Sequence, residues 1–217
     1  EYLNYNINRI TLNSQFYLFL LLFQLGNAAD DTESWNSIGF ETELPYSLKL
    51  ELEQSLRLED QISSYKQTFT EASISYDMNG IKLFIPLRYA IFQDKIKKRI
   101  SIGGSYKYNF KPISIKYRSK FQRTYEESET PNDIARNKFT MEYKINKRFK
   151  PYISGEIFHL YDLSKYQYDE YRLSFGINVD LPKKKSVKIF YLFKLEDITK
   201  SAQDKINVIG VAYNFKW

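Results

Sequence analysis

The stretch from Leu48 to Glu59, LKLELEQSLRLE, alternates apolar and polar residues almost without interruption. Its leucines all fall on even positions, where Gln54 is the one polar residue, and the odd positions carry lysine, glutamate, serine and arginine. A helix would distribute these leucines around its circumference, whereas a strand points alternate side chains to opposite sides. The stretch therefore predicts a β-strand with one apolar face and one charged face.

The same two-residue period recurs along most of the chain. It predicts strands at about 34–44, 48–60, 66–77, 80–92, 97–110, 113–124, 134–145, 150–161, 169–180, 186–196 and 204–217. Tight turns such as Asn79-Gly80 and Lys111-Pro112 alternate with longer polar segments such as 125–133. Strands of ten or more residues, joined alternately by short turns and long loops, are typical of an outer-membrane β-barrel.

The number of strands in this barrel is not fixed by the pattern. Single-chain bacterial barrels have an even number of strands, so an odd set of candidates leaves one of them unexplained. The first candidate is not a full wall strand, or another boundary is wrong, or the N-terminal segment threads the lumen. We predict an all-β, transmembrane, antiparallel up-and-down barrel of 10–12 strands, with ten favoured.

A soluble, lipocalin-like barrel would show the same alternation with its apolar face inside. The aromatic residues favour the membrane alternative, because bilayer interfaces attract amphipathic rings and soluble strands need no such girdles. Tyr and Phe cluster near the strand ends on the apolar face, at Tyr89, Tyr106, Tyr108, Phe110, Tyr143, Tyr171, Tyr213, Phe215 and Trp217.

The N-terminal region has the features of a secretion signal. Phe16 to Leu25, FYLFLLLFQL, is too short to span a membrane as a helix but suits the apolar part of a signal peptide, and the small residues Gly26 and Ala28 follow it. The alternative is a buried hydrophobic helix. We predict a cleavable signal peptide at 1–28 and a barrel at 29–217, located in the bacterial outer membrane.

The C-terminus ends in GVAYNFKW, with Gly210 followed by aromatic residues at alternate positions, Tyr213, Phe215 and Trp217. This resembles the terminal signal that outer-membrane proteins present to the barrel-assembly machinery, for which an unpaired edge strand is a ready partner. The expected partners are this machinery during assembly, and outer-membrane lipid and lipopolysaccharide afterwards.

Composition excludes several kinds of function. The chain has no cysteine, so thiolate metal sites and cysteine nucleophiles are ruled out, and its one histidine cannot form a multi-histidine site. By alternation, His159 points to lipid, away from Ser154 and Glu156, so we predict no enzyme activity and no cofactor or metal. The net charge of +6 comes from residues mixed with glutamates along strands, so we also expect no nucleic-acid partner.

Several segments resemble the DUF2490 family, outer-membrane-barrel-like proteins of uncharacterised function that are common in Bacteroidota. The segments are WNSIGFETEL from Trp35, LELEQSLRL from Leu50, SIKYRSKFQ from Ser114, RNKFTMEYKI from Arg136, KPYISGEIF from Lys150 and YRLSFGI from Tyr171. The resemblance runs from Trp35 to Trp217 and implies a barrel fold. It implies no catalytic or binding residue.

The charged face of the strands would line the lumen. The predicted lumen residues are Lys82, Arg88, Arg99, Lys107, Lys116, Arg118, Arg136, Lys138, Arg172, Glu51, Glu53, Glu71, Glu142 and Glu156. Long basic side chains can fill a narrow barrel, which predicts a structural protein with a charged, largely plugged lumen. One alternative is a small anion-selective channel, in which the basic strip from Lys116 to Lys138 attracts anionic solutes. The other alternative is a lipid-acting enzyme.

Overall fold

The computed structural model describes residues 29–162 and 165–217 of the 217-residue chain. The predicted signal peptide, 1–28, lies outside the described residues. The described chain forms eleven strands: β1 (Asp31–Glu43), β2 (Leu48–Glu59), β3 (Ser64–Met78), β4 (Ile81–Phe92), β5 (Ile96–Phe110), β6 (Ile113–Glu126), β7 (Asn132–Tyr143), β8 (Phe149–Asp162), β9 (Lys165–Leu181), β10 (Lys185–Glu196) and β11 (Asp204–Lys216).

These strands form one closed barrel in which each strand pairs antiparallel with its neighbours in sequence. The closing pair is different, because β1 and β11 run parallel, in register from Asp31 opposite Ile206 to Glu41 opposite Lys216. Eleven strands lie within the predicted range of 10–12, but the favoured number of ten and the entirely antiparallel pairing are wrong. The first candidate strand is a full wall strand, and an odd number of strands closes through one parallel pair.

The parallel closure places the two ends of the barrel wall at opposite rims. The rim that bears residues 29–30 also bears the connections 60–63, 93–95, 127–131 and 197–203, and is called the loop rim. The other rim bears Trp217 and the connections 44–47, 79–80, 111–112, 144–148 and 182–184, and is called the turn rim. Some connections at the loop rim are shorter than predicted, because the strands extend into them: the predicted segment 125–133 is reduced to 127–131, whereas 197–203 keeps its predicted length.

The outer surface of the barrel is a broad apolar belt. Large side chains on this face stay exposed, with Leu83 56% and Ile102 60% accessible. Tyrosine and phenylalanine gather near both rims, as at Tyr89 and Tyr125 on the loop side and Tyr108 and Phe110 on the turn side. A closed wall leaves no strand edge unpaired, and an apolar exterior of this kind requires a hydrocarbon solvent. No helix long and apolar enough to cross a bilayer occurs in residues 29–162 and 165–217.

The turns follow from local sequence. At the β3–β4 connection Asn79 and Gly80 both adopt positive φ, 50° and 86°, as the tightest hairpin turn requires. Inside the wall, Gly210 of β11 leaves room for a ring: a Cβ at this position would lie 2.1 Å from the Phe190 ring of β10. Closure beside the parallel pair therefore depends on a residue without a side chain.

Candidate functional site: the barrel lumen

The structure places every predicted lumen charge on the inner face of the wall. Seven of these side chains, Glu51, Glu53, Glu71, Lys82, Arg88, Lys116 and Arg118, line lumen cavities or pair across them. Arg99, Arg136 and Arg172 line a further cavity on the loop side. Lys107 approaches Glu142 at 3.9 Å, and Lys138 approaches Glu156 at the same distance.

Glu156 of β8 is the centre of an ion-pair cluster in the lumen in which three cations surround one carboxylate. Its side chain is 4% exposed and accepts hydrogen bonds from Arg118 at 2.8 Å and from Arg136 at 2.9 Å, with Lys138 at 3.9 Å. Arg136 also donates to Gln122, at 3.3 Å. One carboxylate thus compensates three cations supplied by the adjacent strands β6 and β7, and ties these three neighbouring strands together on the inner face of the wall.

Glu33 of β1 forms a second buried cluster, beside the parallel seam. Its fully buried carboxylate accepts hydrogen bonds from Trp35 Nε1 at 2.6 Å, Lys66 Nζ at 2.8 Å and Lys194 Nζ at 3.0 Å. Lys66 belongs to β3 and Lys194 to β10. The cluster therefore connects strands on both sides of β1, where the wall closes.

Between these clusters, cations and aromatic rings alternate in a continuous stack, here called the arginine–aromatic stack. The distances are from the guanidinium carbon of each arginine to the centroid of the ring. Arg88 lies over Phe69 at 3.7 Å, and Arg57 lies over Phe69 at 5.1 Å and over Trp35 at 3.8 Å. Arg172 lies over Trp35 at 5.0 Å and over Phe158 at 4.5 Å, and Arg136 lies over Phe158 at 4.3 Å. These distances fall within the range of cation–π attraction.

The arginine–aromatic stack crosses the lumen. Its members come from β4, β3, β2 and β1 and then from β9, β8 and β7, and β1 and β9 are separated in the wall by β11 and β10. The contact between Trp35 and Arg172 is therefore made through the interior. The rings of Phe69 and Phe158 are 2% and 3% exposed, so they are packed as tightly as core residues.

The half of the lumen nearer the turn rim is built differently. It contains ion pairs between partly exposed side chains, such as Lys82 with Glu51, Lys150 with Asp180, and Lys49 with Asp77 at 2.8 Å. Two cavities of about 240 and 220 Å³ lie among them, lined in common by Glu51, Glu53, Glu71 and Ser73. This half, with its partly exposed charges and two cavities, is here called the vestibule.

Charged pairs also mark the loop rim. Glu126 accepts hydrogen bonds from Lys95 at 2.8 Å and Lys97 at 2.6 Å. The bond to Glu126 raises the pKa of Lys95, which lies in the connection 93–95. These contacts tie the β4–β5 connection to the end of β6.

The buried aromatic part of the lumen was not predicted. Trp35, Phe69 and Phe158 occupy inward positions, but an isolated ring on a polar face gives no signal that it faces inward. Lys194 lies in a run of apolar residues, FYLFKLE, so the sequence does not show whether it faces the lumen or the lipid. The available signal for Trp35 and Phe69 is that each lies two residues from a glutamate, Glu33 and Glu71 respectively, and therefore on the same face of its strand.

A hydrolytic site does not form from the residues considered for one. His159 is opposite Ala135 on the outer face and stacks on Tyr168 with ring centroids 4.7 Å apart. Ser154 and Glu156 point into the lumen, on the other side of the wall. Within residues 29–162 and 165–217, no group of three or more His, Asp or Glu residues is arranged to hold a metal ion.

The C-terminal residues close the wall. Gly210 makes room for Phe190, and the ring of Phe215 packs edge-on against Phe40 of β1 at 5.3 Å. Tyr213 and Phe215 are neighbours at 6.2 Å, and the backbone N–H of Trp217 donates to the carbonyl of Glu41 at 2.8 Å. The residues predicted as an assembly signal thus form the parallel seam at the turn rim.

Comparison with known proteins agrees with this architecture. A family model described as "Protein of unknown function (DUF2490)" matches residues 32–205, which ends at the second residue of β11 and leaves the terminal aromatics outside. None of the curated proteins matches the sequence. The resemblance expected from Trp35 to Trp217 is confirmed for the family, with the match starting slightly earlier and ending at the beginning of the last strand.

One solved structure shares the fold at very low sequence identity, and two others align with lower scores. A bacterial polysaccharide outer membrane secretin aligns with a TM-score of 0.54 at 7% identity, over 78% of this chain and 64% of the secretin chain. The β domain of the Bordetella autotransporter BrkA aligns at 0.45 with 12% identity, over 71% and 79% of the two chains. An anion-selective porin from Comamonas acidovorans aligns at 0.42 with 8% identity, over 79% and 54%.

Proposed function

Because the chain belongs to the DUF2490 family, and its closed barrel and apolar exterior make it a protein of the bacterial outer membrane, we propose that it is a structural barrel whose lumen is closed. In this proposal the charged interior replaces a hydrophobic core, and solutes do not pass. The orientation follows the usual rule for such barrels, with the turn rim and Trp217 in the periplasm and the loop rim outside.

The arginine–aromatic stack is the observation that carries this proposal. A diffusion pore needs a continuous aqueous path, but the stack joins opposite parts of the wall through buried rings at 3.7 to 5.1 Å from the arginines. Each ring is held on two sides by cations, and Arg136 and Arg88 are fixed in turn by Glu156 and Glu71. Such a layer cannot be moved aside without separating buried charges from their partners.

A small anion-selective passage is the second candidate. It is favoured by the excess of cations over carboxylates along β6 and β7, where Lys116, Arg118, Lys120 and Lys138 share Glu156 and the vestibule carboxylates. A ring of cations that lines a pore favours anions. This function would require that the stack open.

We also propose a role without catalysis. His159 and the inward-facing Ser154 and Glu156 lie on opposite faces of β8, so they are not within reach of one another for nucleophilic chemistry. Lipid and lipopolysaccharide would contact the outer belt, and the assembly machinery would pair with the strand ending in Tyr213, Phe215 and Trp217 before the seam closes.

Conductance of the refolded protein in a planar bilayer tests the closed lumen. Wild type should be silent, whereas removing two rings with Phe69→Ala and Phe158→Ala should give discrete steps. The matched control is Phe121→Ala with Phe139→Ala, two rings on the lipid face that are 42% and 51% exposed, which should remain silent. A heat-dependent shift in gel mobility establishes that each variant has folded.

Discrete steps in the wild-type protein would contradict the closed lumen. A reversal potential that favours anions in a salt gradient would then support the second candidate, and Arg118→Glu should weaken or invert that selectivity. Steps without selectivity would contradict both candidates.

A further inference from the structure

We propose that the cavity on the loop side of the lumen is a binding site for a small soluble oxyanion, a phosphate or carboxylate group. This inference rests on the proposed function in one respect, since a closed barrel retains a ligand that an open channel would let pass. It adds a ligand class and a site to a role that otherwise involves no ligand.

The cavity has about 220 Å³ and lies between the arginine–aromatic stack and the wall formed by β5 to β7. Buried side chains form its floor, among them Gln122 at 2% and Phe158 at 3% exposure. Phe92, Lys97 and Ile134, at or near the loop-side ends of their strands, form its mouth. The site is therefore entered from the loop rim and closed below by the stack.

Charge is strongly unbalanced in this cavity. It is lined by the cations Arg57, Arg88, Lys97, Arg99, Arg136 and Arg172, and by Glu170 as its one carboxylate. Arg88, Lys97, Arg136 and Arg172 have carboxylate partners, respectively Glu71, Glu126, Glu156 and Glu170. Glu156 is already shared with Arg118 and Lys138, so it compensates less than one full charge of Arg136.

Arg57 and Arg99 are the cations that lack a carboxylate partner. Among the described residues, neither guanidinium has a carboxylate oxygen within 4.0 Å. Arg99 donates to the hydroxyl of Thr124 at 3.1 Å, and the buried Nε of Arg57 makes no hydrogen bond within the described chain. Arg99 is also directly opposite Arg88 in the β4–β5 register, so two like charges are adjacent.

Partly buried cations without a counter-ion are costly to keep inside a barrel, and an anion would offset that cost. A guanidinium offers a planar fork of donors that matches phosphate and carboxylate oxygens, and Gln67 and Gln122 add neutral donors in the same cavity. The volume equals that of roughly seven liquid waters. The fitting ligand is therefore a small oxyanion such as inorganic phosphate.

Fluorescence of Trp35 provides a direct test, because Arg57 lies 3.8 Å above its ring. The chain has two tryptophans, so Trp217→Phe leaves Trp35 as the sole emitter. The folded protein in detergent is titrated with sodium phosphate, and separately with sodium chloride at equal ionic strength, with calorimetry as a second readout. Phosphate should give a saturable change that chloride does not reproduce.

Charge-removing variants locate the site. Arg57→Gln and Arg99→Gln should each weaken phosphate binding by about tenfold or more. The matched control is Lys107→Gln, which removes an inward cation from the same strand as Arg99 but in the turn-side half, and should leave the affinity unchanged. Absence of a saturable response in the folded wild type, or equal weakening by Lys107→Gln, would overturn the inference.

A lipid headgroup carries the same phosphate chemistry from another source. Nanodiscs with an anionic phospholipid, without added phosphate, should leave Trp35 unchanged relative to a zwitterionic bilayer. A Trp35 response to the anionic lipid equal to that of free phosphate would overturn the assignment to a soluble ligand. Conductance of the same preparation separates the two proposals. A barrel that does not conduct and does not bind phosphate contradicts the binding site alone. A barrel that conducts and binds phosphate contradicts the closed lumen alone.

Discussion

The two halves of the lumen are built on the same alternation of apolar and polar residues, but their inward side chains differ in packing and exposure. On the loop side, cations are held between aromatic rings and by nearly fully buried carboxylates, as Arg136 is by Phe158 and Glu156. On the turn side, the paired side chains are more exposed, as in Lys107, which is 47% exposed and lies 3.9 Å from Glu142, and in Lys49, which is 27% exposed and pairs with Asp77. In the proposed closed lumen, the loop-side half therefore supplies the closure, and the charges of the turn-side half are more exposed.

The contrast shows that charged side chains and rings do not by themselves form a stack across a lumen. The turn side has rings of its own, with Lys188 over Tyr152 at 4.6 Å and over Phe190 at 5.4 Å, but only the loop side joins rings and arginines into a stack that crosses the interior. Because exclusion of water strengthens each remaining interaction, the same substitution should have larger effects in the loop-side half.

The largest effect is expected for Glu156→Gln. Its removal leaves Arg118, Arg136 and Lys138 without their shared carboxylate inside the barrel. The free energy of unfolding in detergent should fall by about 3–5 kcal/mol, as is typical when one partner of a buried ion pair is lost. Urea titration followed by gel mobility measures it.

The matched substitution on the turn side is Glu142→Gln. Glu142 is partly exposed and accepts a hydrogen bond from Asn178 at 2.8 Å, which glutamine can also accept. The loss should stay below about 1 kcal/mol. Equal losses for the two glutamates would show that the halves do not differ as described.

A smaller effect is expected for Glu33→Gln, at the parallel seam. Lys66 and Lys194 keep second carboxylate partners, Glu59 and Glu196, each at 3.0 Å, so fewer charges are left uncompensated. We expect a loss of about 2 kcal/mol, since buried donors lose part of their hydrogen bonding. Glu41→Gln, on the same strand at the turn rim, should cost clearly less. A cost of Glu33→Gln as large as that of Glu156→Gln would contradict this account of the seam.

The smallest effect belongs to the pair of Lys82 and Glu51. Both side chains are partly exposed in the vestibule, at 25% and 35%. A double-mutant cycle with Lys82→Gln and Glu51→Gln should give a coupling energy below about 1 kcal/mol that decreases with added salt. A coupling above 2 kcal/mol, insensitive to salt, would mean that the vestibule is as dry as the loop side.

The wall of the barrel was predictable because each strand alternates independently of its neighbours. The alternation from Leu48 to Glu59 identifies the two faces of this strand without reference to any other strand. The predicted lumen charges were assigned from the same alternation in the other strands. The arginine–aromatic stack was not predictable, since it depends on which side chains meet across the interior. Arg172 and Trp35 are far apart in sequence and in the wall, so no local pattern relates them.

The parallel closure escaped prediction for a related reason. Whether the first strand pairs with the last depends on the total number of strands, which is a property of the whole sheet. β1 also carries Trp35 on its inner face, so its alternation of apolar and polar residues is weaker than that of β2. The general rule of even strand numbers then favoured ten strands over eleven.

Accessibility of single cysteines from each rim tests the central claim, that the arginine–aromatic stack separates two aqueous compartments. The chain has no cysteine, so Lys97→Cys, at the mouth of the loop-side cavity, and Ser73→Cys, in the turn-side vestibule, are each unique. Glu129→Cys and Lys147→Cys, in the connections 127–131 and 144–148, report orientation in proteoliposomes.

A membrane-impermeant thiol reagent is added to one side of these proteoliposomes. The account predicts that reagent on the loop side modifies position 97 and leaves position 73 unmodified, and that reagent on the turn side does the reverse. Modification of position 73 from both sides at similar rates would show a continuous aqueous path and would contradict the closed lumen.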